Sequence, residues 1–441
     1  MTASFLHGAT AKVLGIALLA LLMLIPLSQV EGLVRERASR ADEATQKIAQ
    51  RWGAAQEVGG PVLVVPVLYE TTQDNRVTIT QRNEYLLPDR VAIRATLAPE
   101  LRSYGLYSSV VYVSTLNVEG RFAAADLAAF SASGGTPQWQ HAQLRVPVGD
   151  VHGIRGATTL HVGDREVAFA PSDGSVAGIA VIAASMAWPQ AVDASVPFSF
   201  ELTLAGSERL SLLPLARTTE AHVEGAWPDP GFDGAFLPRQ RHVADDGFSA
   251  DWQVLDLNRA IAQHWRDGDA TGPDARASAF GLSLTRPASP YQRNTRAGKY
   301  GALFIALTFA AFFLFEVLRG WRVHPVQYLL IGVALCTFYV VLLALSEQVG
   351  FAAAYAIAAA AIALLIGGYA AAVLRRRGAG IGLGALVGFV YALLYGLVSS
   401  EDYALLMGSI ALLVAIGALM LLTRKVDWYA AAPRAGARDA A

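Results

Sequence analysis

Residues 299–330 read KYGALFIALTFAAFFLFEVLRGWRVHPVQYLL, and apolar runs of this kind continue as far as Lys425. The segment holds five such runs of roughly 18–24 residues, which is long enough for a helix to cross the ~30 Å hydrocarbon core. Only a helix that satisfies its own backbone hydrogen bonds is stable in lipid, and none of these runs has the polar stripe of a soluble helix. We therefore predict five membrane spans, over residues 300–318, 326–345, 351–374, 381–398 and 403–422.

The N-terminus holds a sixth apolar run, over residues 13–27. A cleaved signal peptide is the alternative, but no small-x-small cleavage site follows closely. Instead, apolar residues recur at helical spacing among charged ones as far as Trp52. We therefore predict that residues 1–30 form an uncleaved transmembrane anchor, and that its helix continues over residues 31–52.

The composition indicates a membrane protein that contains a soluble part. Of the 441 residues, 54% are hydrophobic and 16% are charged, whereas about a quarter of a soluble protein is charged. The net charge of −1 and the absence of a basic cluster give no indication of a nucleic-acid partner. The single cysteine, Cys336, lies inside a predicted span, so we expect no intrachain disulfide.

The region between the first two spans reads mostly as strands. Apolar and polar residues alternate over 196–204 and 91–97, as in half-buried strands. The run over residues 61–68 is continuously apolar but contains prolines, which favours an edge strand. We predict that residues 31–299 form a large, β-rich, sandwich-like extracytoplasmic domain. Two lobes with a break near 174–178 are an alternative arrangement.

The charges of the short links predict the orientation, because Lys and Arg favour the cytoplasmic side. The links after the second and fourth spans and the segment after the sixth carry basic residues: Arg319, Arg322, Arg375, Arg376, Arg377, Arg424 and Lys425. The links after the third and fifth spans carry only acidic residues: Glu347, Glu401 and Asp402. Both termini are then cytoplasmic, with a five-helix domain at 300–425, a cytoplasmic tail at 426–441 and a periplasmic domain at 31–299. Arg35, Arg37 and Arg40 disagree with this orientation, but long domains are translocated largely regardless of charge.

Small residues recur every four positions in the fifth span, at Gly380, Gly384, Gly388, Ala392 and Gly396. Such a stripe allows two helix backbones to approach closely. We predict a helix-packing face here, with the alanine-rich fourth span as its neighbour. A homodimer face is the alternative.

Polar residues in or near the spans are the candidate functional residues of the membrane domain, because charge in lipid is costly and is kept for use. Glu316 is the nearest case to an intramembrane charge, although an ion pair with Arg319 at i,i+3 is the plainer interpretation. The other candidates are Gln327, Tyr328, Tyr339, Glu347, Tyr355, Glu401 and Asp402. Interhelical hydrogen bonding is the structural alternative for the uncharged ones, and the last two could converge with Glu347 at the outer face.

The soluble region carries no catalytic signature. It has no His-Glu-x-x-His, no Gly-x-Ser-x-Gly, no phosphate-binding glycine loop and no His or Cys at metal-ligand spacing. The sequence therefore predicts no catalytic residue, no metal site and no cofactor. An enzyme with its site around Glu347 is a weaker alternative.

Several strings along the chain share one family pattern. The C-terminal ones are His324-Pro325-Val326-Gln327-Tyr328, Leu345-Ser346-Glu347 and Ser400-Glu401-Asp402-Tyr403. The N-terminal half matches more loosely, at Ile25-Pro26-Leu27, Trp227-Pro228 and Gly247-Phe248-Ser249-Ala250. In this order, and over essentially the whole chain, the strings resemble the CreD family of bacterial inner-membrane proteins, also called cell-envelope integrity proteins.

The resemblance implies an accessory envelope protein of a two-component regulon, associated with colicin tolerance and envelope stress. It implies no enzymatic activity and no cofactor. We expect a non-enzymatic inner-membrane protein whose periplasmic domain binds an envelope component. The expected partners are the lipid bilayer and a periplasmic or envelope protein, and a homo-oligomer stays open. A permease for a small or lipidic molecule is the alternative, which a polar midplane cavity lined by Gln327, Tyr339 and Tyr355 would favour.

Overall fold

The protein consists of two compact units in a computed structural model. The structure describes residues 9–73, 76–131, 134–188, 194–267, 274–284, 290–319, 323–400 and 404–424. The first unit, here the helical unit, comprises Met1–Arg40 and Ala288–Ala441, and the second, here the β unit, comprises Ala41–Pro287. The division therefore assigns residues 31–40 and 288–299, which the sequence places in the periplasmic domain, to the helical unit.

The described residues form nine α-helices. They are α1 (Ala9–Leu22), α2 (Leu24–Trp52), α3 (Ala124–Ser131), α4 (Pro290–Lys299), α5 (Gly301–Arg319), α6 (Pro325–Val349), α7 (Phe351–Val373), α8 (Arg377–Ser399) and α9 (Ala404–Thr423). All except α3 lie wholly or partly in the helical unit, and the boundary between the units falls within α2.

Four helical segments in the described part are long and apolar enough to cross a membrane: Lys12–Trp52, α6, α7 and α8. A fifth candidate arises if α4 and α5, which meet at a bend of 45°, form one span. In α9 the apolar stretch Leu406–Ala418 is shorter than these candidates and is not counted among them. The predicted apolar N-terminal helix and the C-terminal group of apolar helices are confirmed, whereas the predicted total of six spans is not established.

The core of the helical unit is built around α6. Tyr328, Phe338 and Leu342 of this helix are fully buried and share one apolar cluster with residues of α5, α7 and α8. His324 begins α6 by capping it, since its ring accepts the backbone N–H of Val326 at 3.3 Å. About half of α6 is buried against its neighbours, and its other face exposes apolar residues such as Leu330 and Val333, so the sequence shows no polar stripe here.

Helices α7 and α8 approach most closely at glycines. A Cβ atom on Gly380 would lie 2.5 Å from the carbonyl oxygen of Gly367 and 2.4 Å from Cβ of Ala371, and one on Gly384 would lie 3.3 Å from Cα of Gly367. The other three residues of the predicted stripe have different surroundings from Gly380 and Gly384. Gly388 has open space, Ala392 is exposed, and a Cβ on Gly396 would lie 3.7 Å from Met407 of α9.

A substitution of Gly380→Ala should therefore lower the free energy of unfolding by about 1–3 kcal/mol, because a backbone oxygen of α7 cannot move aside for the added methyl group. Gly388→Ala is the matched control, with no heavy atom within 4 Å of its Cβ. Thermal unfolding of the full-length protein in detergent measures both. Equal stability of the two variants would contradict the close packing of α7 on α8.

The β unit contains nineteen strands among its described residues. They are β1 (Gln56–Gly59), β2 (Val62–Gln73), β3 (Arg76–Leu86), β4 (Arg90–Tyr104), β5 (Tyr107–Phe122), β6 (Thr136–Pro137), β7 (Ala142–Pro147), β8 (Thr159–Val162), β9 (Arg165–Ala168), β10 (Ala170–Val176), β11 (Ile179–Met186), β12 (Val196–Ser207), β13 (Arg209–Leu213), β14 (Thr218–Gly225), β15 (Gly231–Gly234), β16 (Gln240–Ala244), β17 (Gly247–Leu255), β18 (His264–Arg266) and β19 (Phe280–Ser283).

These strands form three sheets in the described part of the unit. The largest has the order β16-β17-β14-β4-β5-β12-β8-β9, the second has the order β10-β11-β7-β2-β3-β18 with β6 beside β2, and the third has the order β1-β13-β19-β15. The pairs β4–β14 and β1–β13 are parallel, and the other pairs are antiparallel. The predicted break near 174–178 falls in the hairpin that joins β10 to β11.

The two large sheets share one apolar core. Along β12, buried and exposed residues alternate as predicted, and Phe198 and Phe200 enter the same cluster as Leu63 of β2 and Leu144 of β7. The opposite side of the eight-stranded sheet carries polar and charged residues. This arrangement buries one face of that sheet and leaves the other in solvent.

Strand β2 corrects one prediction, since it lies in the middle of its sheet and not at the edge expected for residues 61–68. Both of its faces are buried, with Leu63 in the core between the sheets and Val62 in a separate apolar cluster, which explains the continuous apolar run. Pro66 is tolerated because its carbonyl oxygen accepts the N–H of Gln138 at 2.8 Å, in the gap between β6 and β7. No strand pairs with Pro66 on that side, so none requires its missing N–H.

Candidate functional site

Glu316 is the centre of a buried polar cluster in the helical unit, here called the Glu316 cluster (Lys12, Glu316, Val323 and Tyr328). Lys12 of α1 and the backbone N–H of Val323, at 2.9 Å, donate to one carboxylate oxygen, and the Tyr328 hydroxyl donates to the other at 3.0 Å. Only 4% of Glu316 is exposed, and Tyr328 is fully buried. The carboxylate is therefore fully partnered. The predicted partner, Arg319, has a side chain outside the described residues.

Glu347 lies in a second polar cluster, at the end of α6, here called the Glu347 cluster (Arg37, Tyr291, Asn294, Ser346 and Glu347). The Tyr291 hydroxyl of α4 donates to Glu347 at 3.1 Å, and Arg37 of α2 lies 3.9 Å from the carboxylate. Asn294 donates to the Ser346 hydroxyl at 3.0 Å, with both side chains buried. Glu401 and Asp402, which could converge with Glu347, lie outside the described residues.

The α4 residues of this cluster were missed by the sequence analysis. The ten residues of α4 contain no apolar run, so a search for spans passes over them. The available signal was the helical spacing of Tyr291, Asn294 and Ala297, which places three side chains on one face. Asn294 and Ala297 are buried in the structure.

Gln327, Tyr339 and Tyr355 have different surroundings, and Gln327 and Tyr339 border different cavities. Gln327 accepts the backbone N–H of His324 at 3.1 Å in the cap of α6, and it borders a cavity of about 20 Å³. The Tyr355 hydroxyl donates to the carbonyl of Tyr391 at 2.7 Å. Tyr339 borders a different cavity, of about 250 Å³. The three residues therefore contact different parts of the helical unit.

Aromatic rings fill the space where α6, α7 and α8 meet. The ring of Phe338 lies 4.2 Å from that of Tyr391 and 5.2 Å from that of Tyr355, and Tyr355 lies 5.1 Å from Tyr395, between ring centroids. Such contacts bury large apolar area and fix the helices relative to one another.

The solvent-facing side of the eight-stranded sheet, here called the open sheet face, holds two adjoining depressions of about 550 and 430 Å³. Ala92 of β4 borders both depressions. The charged and hydrogen-bonding residues around them include Arg90, Arg94, Glu119, Arg121, His161, Ser199, Glu220, His222, Arg239 and Asp251.

Ion pairs order the side chains of the open sheet face. Arg90 lies 2.7 Å from Glu220, and Arg94 lies 3.0 Å from Glu119. The hydrogen bond to Glu220 raises the pKa of Arg90 above its usual value. Because these pairs are exposed, each adds little stability, and their main effect is to hold charges of both signs at fixed positions.

A buried carboxylate, Glu84 of β3, lies elsewhere in the β unit and was also missed by the sequence analysis. The Tyr69 hydroxyl donates to Glu84, His264 Nε2 lies 2.6 Å from it, and Arg266 Nε lies 3.3 Å from it. Glu84 is fully buried. The sequence around Glu84 does not indicate that this residue is buried, because its three partners come from other strands, β2 and β18.

The neighbour of Glu84 along β3 stays protonated. Tyr85 stacks on Trp265 with 5.1 Å between ring centroids, and its hydroxyl donates to Asp267 at 2.7 Å. Burial, and then the hydrogen bond to Asp267, raise the pKa of Tyr85 to about 12. This tyrosine therefore acts as a hydrogen-bond donor at neutral pH.

The part of the chain that the structure describes contains no candidate metal site. No set of three or more His, Cys, Asp or Glu side chains there could hold a metal ion. Cys336 is a free, buried cysteine of α6.

Comparison with known proteins gives two matches. The family model described as "Inner membrane protein CreD" matches residues 8–429. The Inner membrane protein CreD of Escherichia coli (strain K12) is 33% identical over 418 residues, which cover 93% of this chain and 91% of the relative. The similarity therefore extends over both the helical unit and the β unit.

Proposed function

The chain belongs to the CreD family of inner membrane proteins, and from this we propose a non-enzymatic role in the integrity of the bacterial envelope. In this proposal the helical unit anchors the protein in the inner membrane. The β unit lies on the periplasmic side and binds an envelope component through the open sheet face.

The open sheet face is the observation that carries this proposal. Donors and acceptors of both charges surround two adjoining depressions on a rigid eight-stranded sheet. A rigid scaffold that presents polar groups at fixed positions favours recognition of a polar surface over binding of a small apolar ligand. The charges of the short links support a periplasmic position for this face.

The packing of the helical unit supports anchoring over transport. A permease needs a polar pathway at the depth of the bilayer centre. Phe338, Tyr355 and Tyr391 instead pack ring against ring, and the Tyr355 hydroxyl is bound to a backbone carbonyl.

Site-specific photocrosslinking in living cells tests the role of the open sheet face. A photoreactive residue in place of Ser199, which borders the larger depression, should give one dominant adduct with an envelope component. Ser175 of β10 is the matched control, because it is an exposed serine on a different sheet. The adduct from Ser199 should exceed that from Ser175 by about tenfold, the ratio that 1.4 kcal/mol of preferential binding gives.

A charge reversal separates specific binding from chance proximity. Arg90→Glu would place two carboxylates opposite each other where Arg90 now pairs with Glu220, and it should remove the Ser199 adduct. The proposal is wrong if Ser199 and Ser175 give the same adducts, or if Arg90→Glu leaves the Ser199 adduct at full yield.

A further inference from the structure

A cavity of about 250 Å³ opens between α2 and α4 within the helical unit. Leu27, Val30 and Val34 of α2 form its apolar wall, and Lys299 of α4 and Tyr339 of α6 border it with polar groups. The cavity therefore offers an apolar surface and a polar end, which is the character of a site for an amphiphile.

The Tyr339 hydroxyl is the first observation that points to an occupant. Only 4% of Tyr339 is exposed, and its ring packs on Phe338 with 5.0 Å between centroids. Among the described residues, the hydroxyl has no hydrogen-bond partner. Tyr339 borders the cavity, so an acceptor bound there would complete the hydrogen bonding of this hydroxyl.

The charge around the cavity is the second observation. Lys299 has no ion-pair partner in the described part of the chain, and Arg35 lies 3.9 Å from Glu31, at the limit of an ion pair. Two cations and one carboxylate leave a net charge of +1 at the cavity. This balance complements a singly charged anion, such as a phosphodiester.

The position of the cavity relative to the ends of the apolar segments indicates where this anion comes from. Leu27 ends the apolar run of the first predicted span, and Lys299, the last residue of α4, lies two positions before the start of the apolar helix α5. Both residues therefore lie where apolar segments end, which is the level of lipid headgroups. Basic pockets between membrane helices at this level suit lipid headgroups.

We propose that this cavity binds the phosphodiester headgroup of a membrane glycerophospholipid. A phosphate oxygen accepts the hydrogen bond of Tyr339, and the ammonium group of Lys299 pairs with the same phosphate. An acyl chain packs along Leu27 and Val30 of α2. The inference concerns the helical unit alone and does not depend on what the β unit binds.

Native mass spectrometry of the full-length protein in detergent, titrated with phosphatidylglycerol, tests the site. We expect one lipid to bind more tightly than the rest. Tyr339→Phe keeps the ring and removes the donor, and Lys299→Gln removes the charge. Each should weaken this first binding step by about tenfold, as expected for one hydrogen bond to a charged group.

Two matched controls show whether the loss is local. Tyr395→Phe removes a hydroxyl from a half-exposed tyrosine of α8, and Arg376→Gln removes an exposed charge outside the cavity. Both variants should bind the first phosphatidylglycerol molecule as tightly as the unaltered protein does. If Tyr339→Phe and Lys299→Gln also bind like the unaltered protein, the proposal is overturned.

The choice of probe separates a lipid from other occupants. Diacylglycerol, which has the same chains and no phosphate, should not occupy the site, and inorganic phosphate should not displace phosphatidylglycerol. Equal binding of diacylglycerol would mean an apolar groove only. Displacement by phosphate would mean a site for a free anion, and either result would reject the lipid headgroup.

Discussion

Replacing Glu316 with alanine should lower the free energy of unfolding of the helical unit by about 3 kcal/mol, at the lower end of the range for a broken buried ion pair. The substitution removes the acceptor of three donors at once, from Lys12, Val323 and Tyr328. The lower end applies because the Lys12 side chain is 34% exposed and can regain some water. Thermal unfolding in detergent measures the effect.

A double substitution tests whether the Glu316 cluster is structural or functional. Lys12→Met combined with Glu316→Leu replaces both charges with apolar groups of similar volume, which is often close to neutral for stability. The double variant should therefore recover part of the stability that Glu316→Ala loses, because no charge is left unpaired, while the N–H of Val323 and the hydroxyl of Tyr328 still lack their acceptor. If the double variant folds but loses the proposed role in envelope integrity in cells, the pair of Lys12 and Glu316 is functional; if it keeps that role, the pair is structural.

The control for this pair lies on α2. Glu36 pairs with Arg40 at i,i+4, and both side chains are more than half exposed. Glu36→Ala should change the free energy of unfolding by less than about 0.5 kcal/mol. A loss from Glu316→Ala no larger than this would contradict the buried ion pair.

Replacing Glu84 with alanine should have the largest effect in the β unit, about 4 kcal/mol of the free energy of unfolding. Glu84 is fully buried, and its loss leaves Tyr69, His264 and Arg266 without their shared acceptor. Hydrogen exchange of the full-length protein should show faster exchange in β2, β3 and β18, because these strands carry the three partners and Glu84 itself.

Two further variants make the prediction for Glu84 specific. Glu84→Gln keeps the volume and one acceptor, so it should cost less than Glu84→Ala. Glu166→Ala breaks an exposed pair with His161 and should leave exchange in β2 and β3 unchanged. If Glu84→Ala and Glu166→Ala have the same effect, the buried cluster does not stabilise these strands.

The elements that the sequence predicted well are those with local signals. The apolar C-terminal runs became helices because length and hydropathy are properties of one segment. The alternation over residues 196–204 became the buried and exposed faces of β12 for the same reason. In both cases the neighbouring residues alone carried the information.

The features that the sequence missed depend on residues far apart in the chain. Glu316 pairs with Lys12, which is 304 positions away, so an i,i+3 partner was the only one that a local pattern offered. Glu84 meets His264, 180 positions away, and alternation treats both as solvent-facing residues. The sequence did not show that β2 is a central strand. A proline fits in the middle of this sheet because of the gap between β6 and β7, and that gap is visible only in the structure.

The parallel pairing of β4 with β14 imposes an order on biogenesis. Residues 90–97 pair with residues 218–225, so one edge of β4 stays open until the ribosome has made the later strand. Until then the nascent chain exposes unpaired backbone that can join another strand, and pairing between such distant segments is slow. The unit therefore completes its largest sheet only late in synthesis, after the N-terminal apolar helix has already been made.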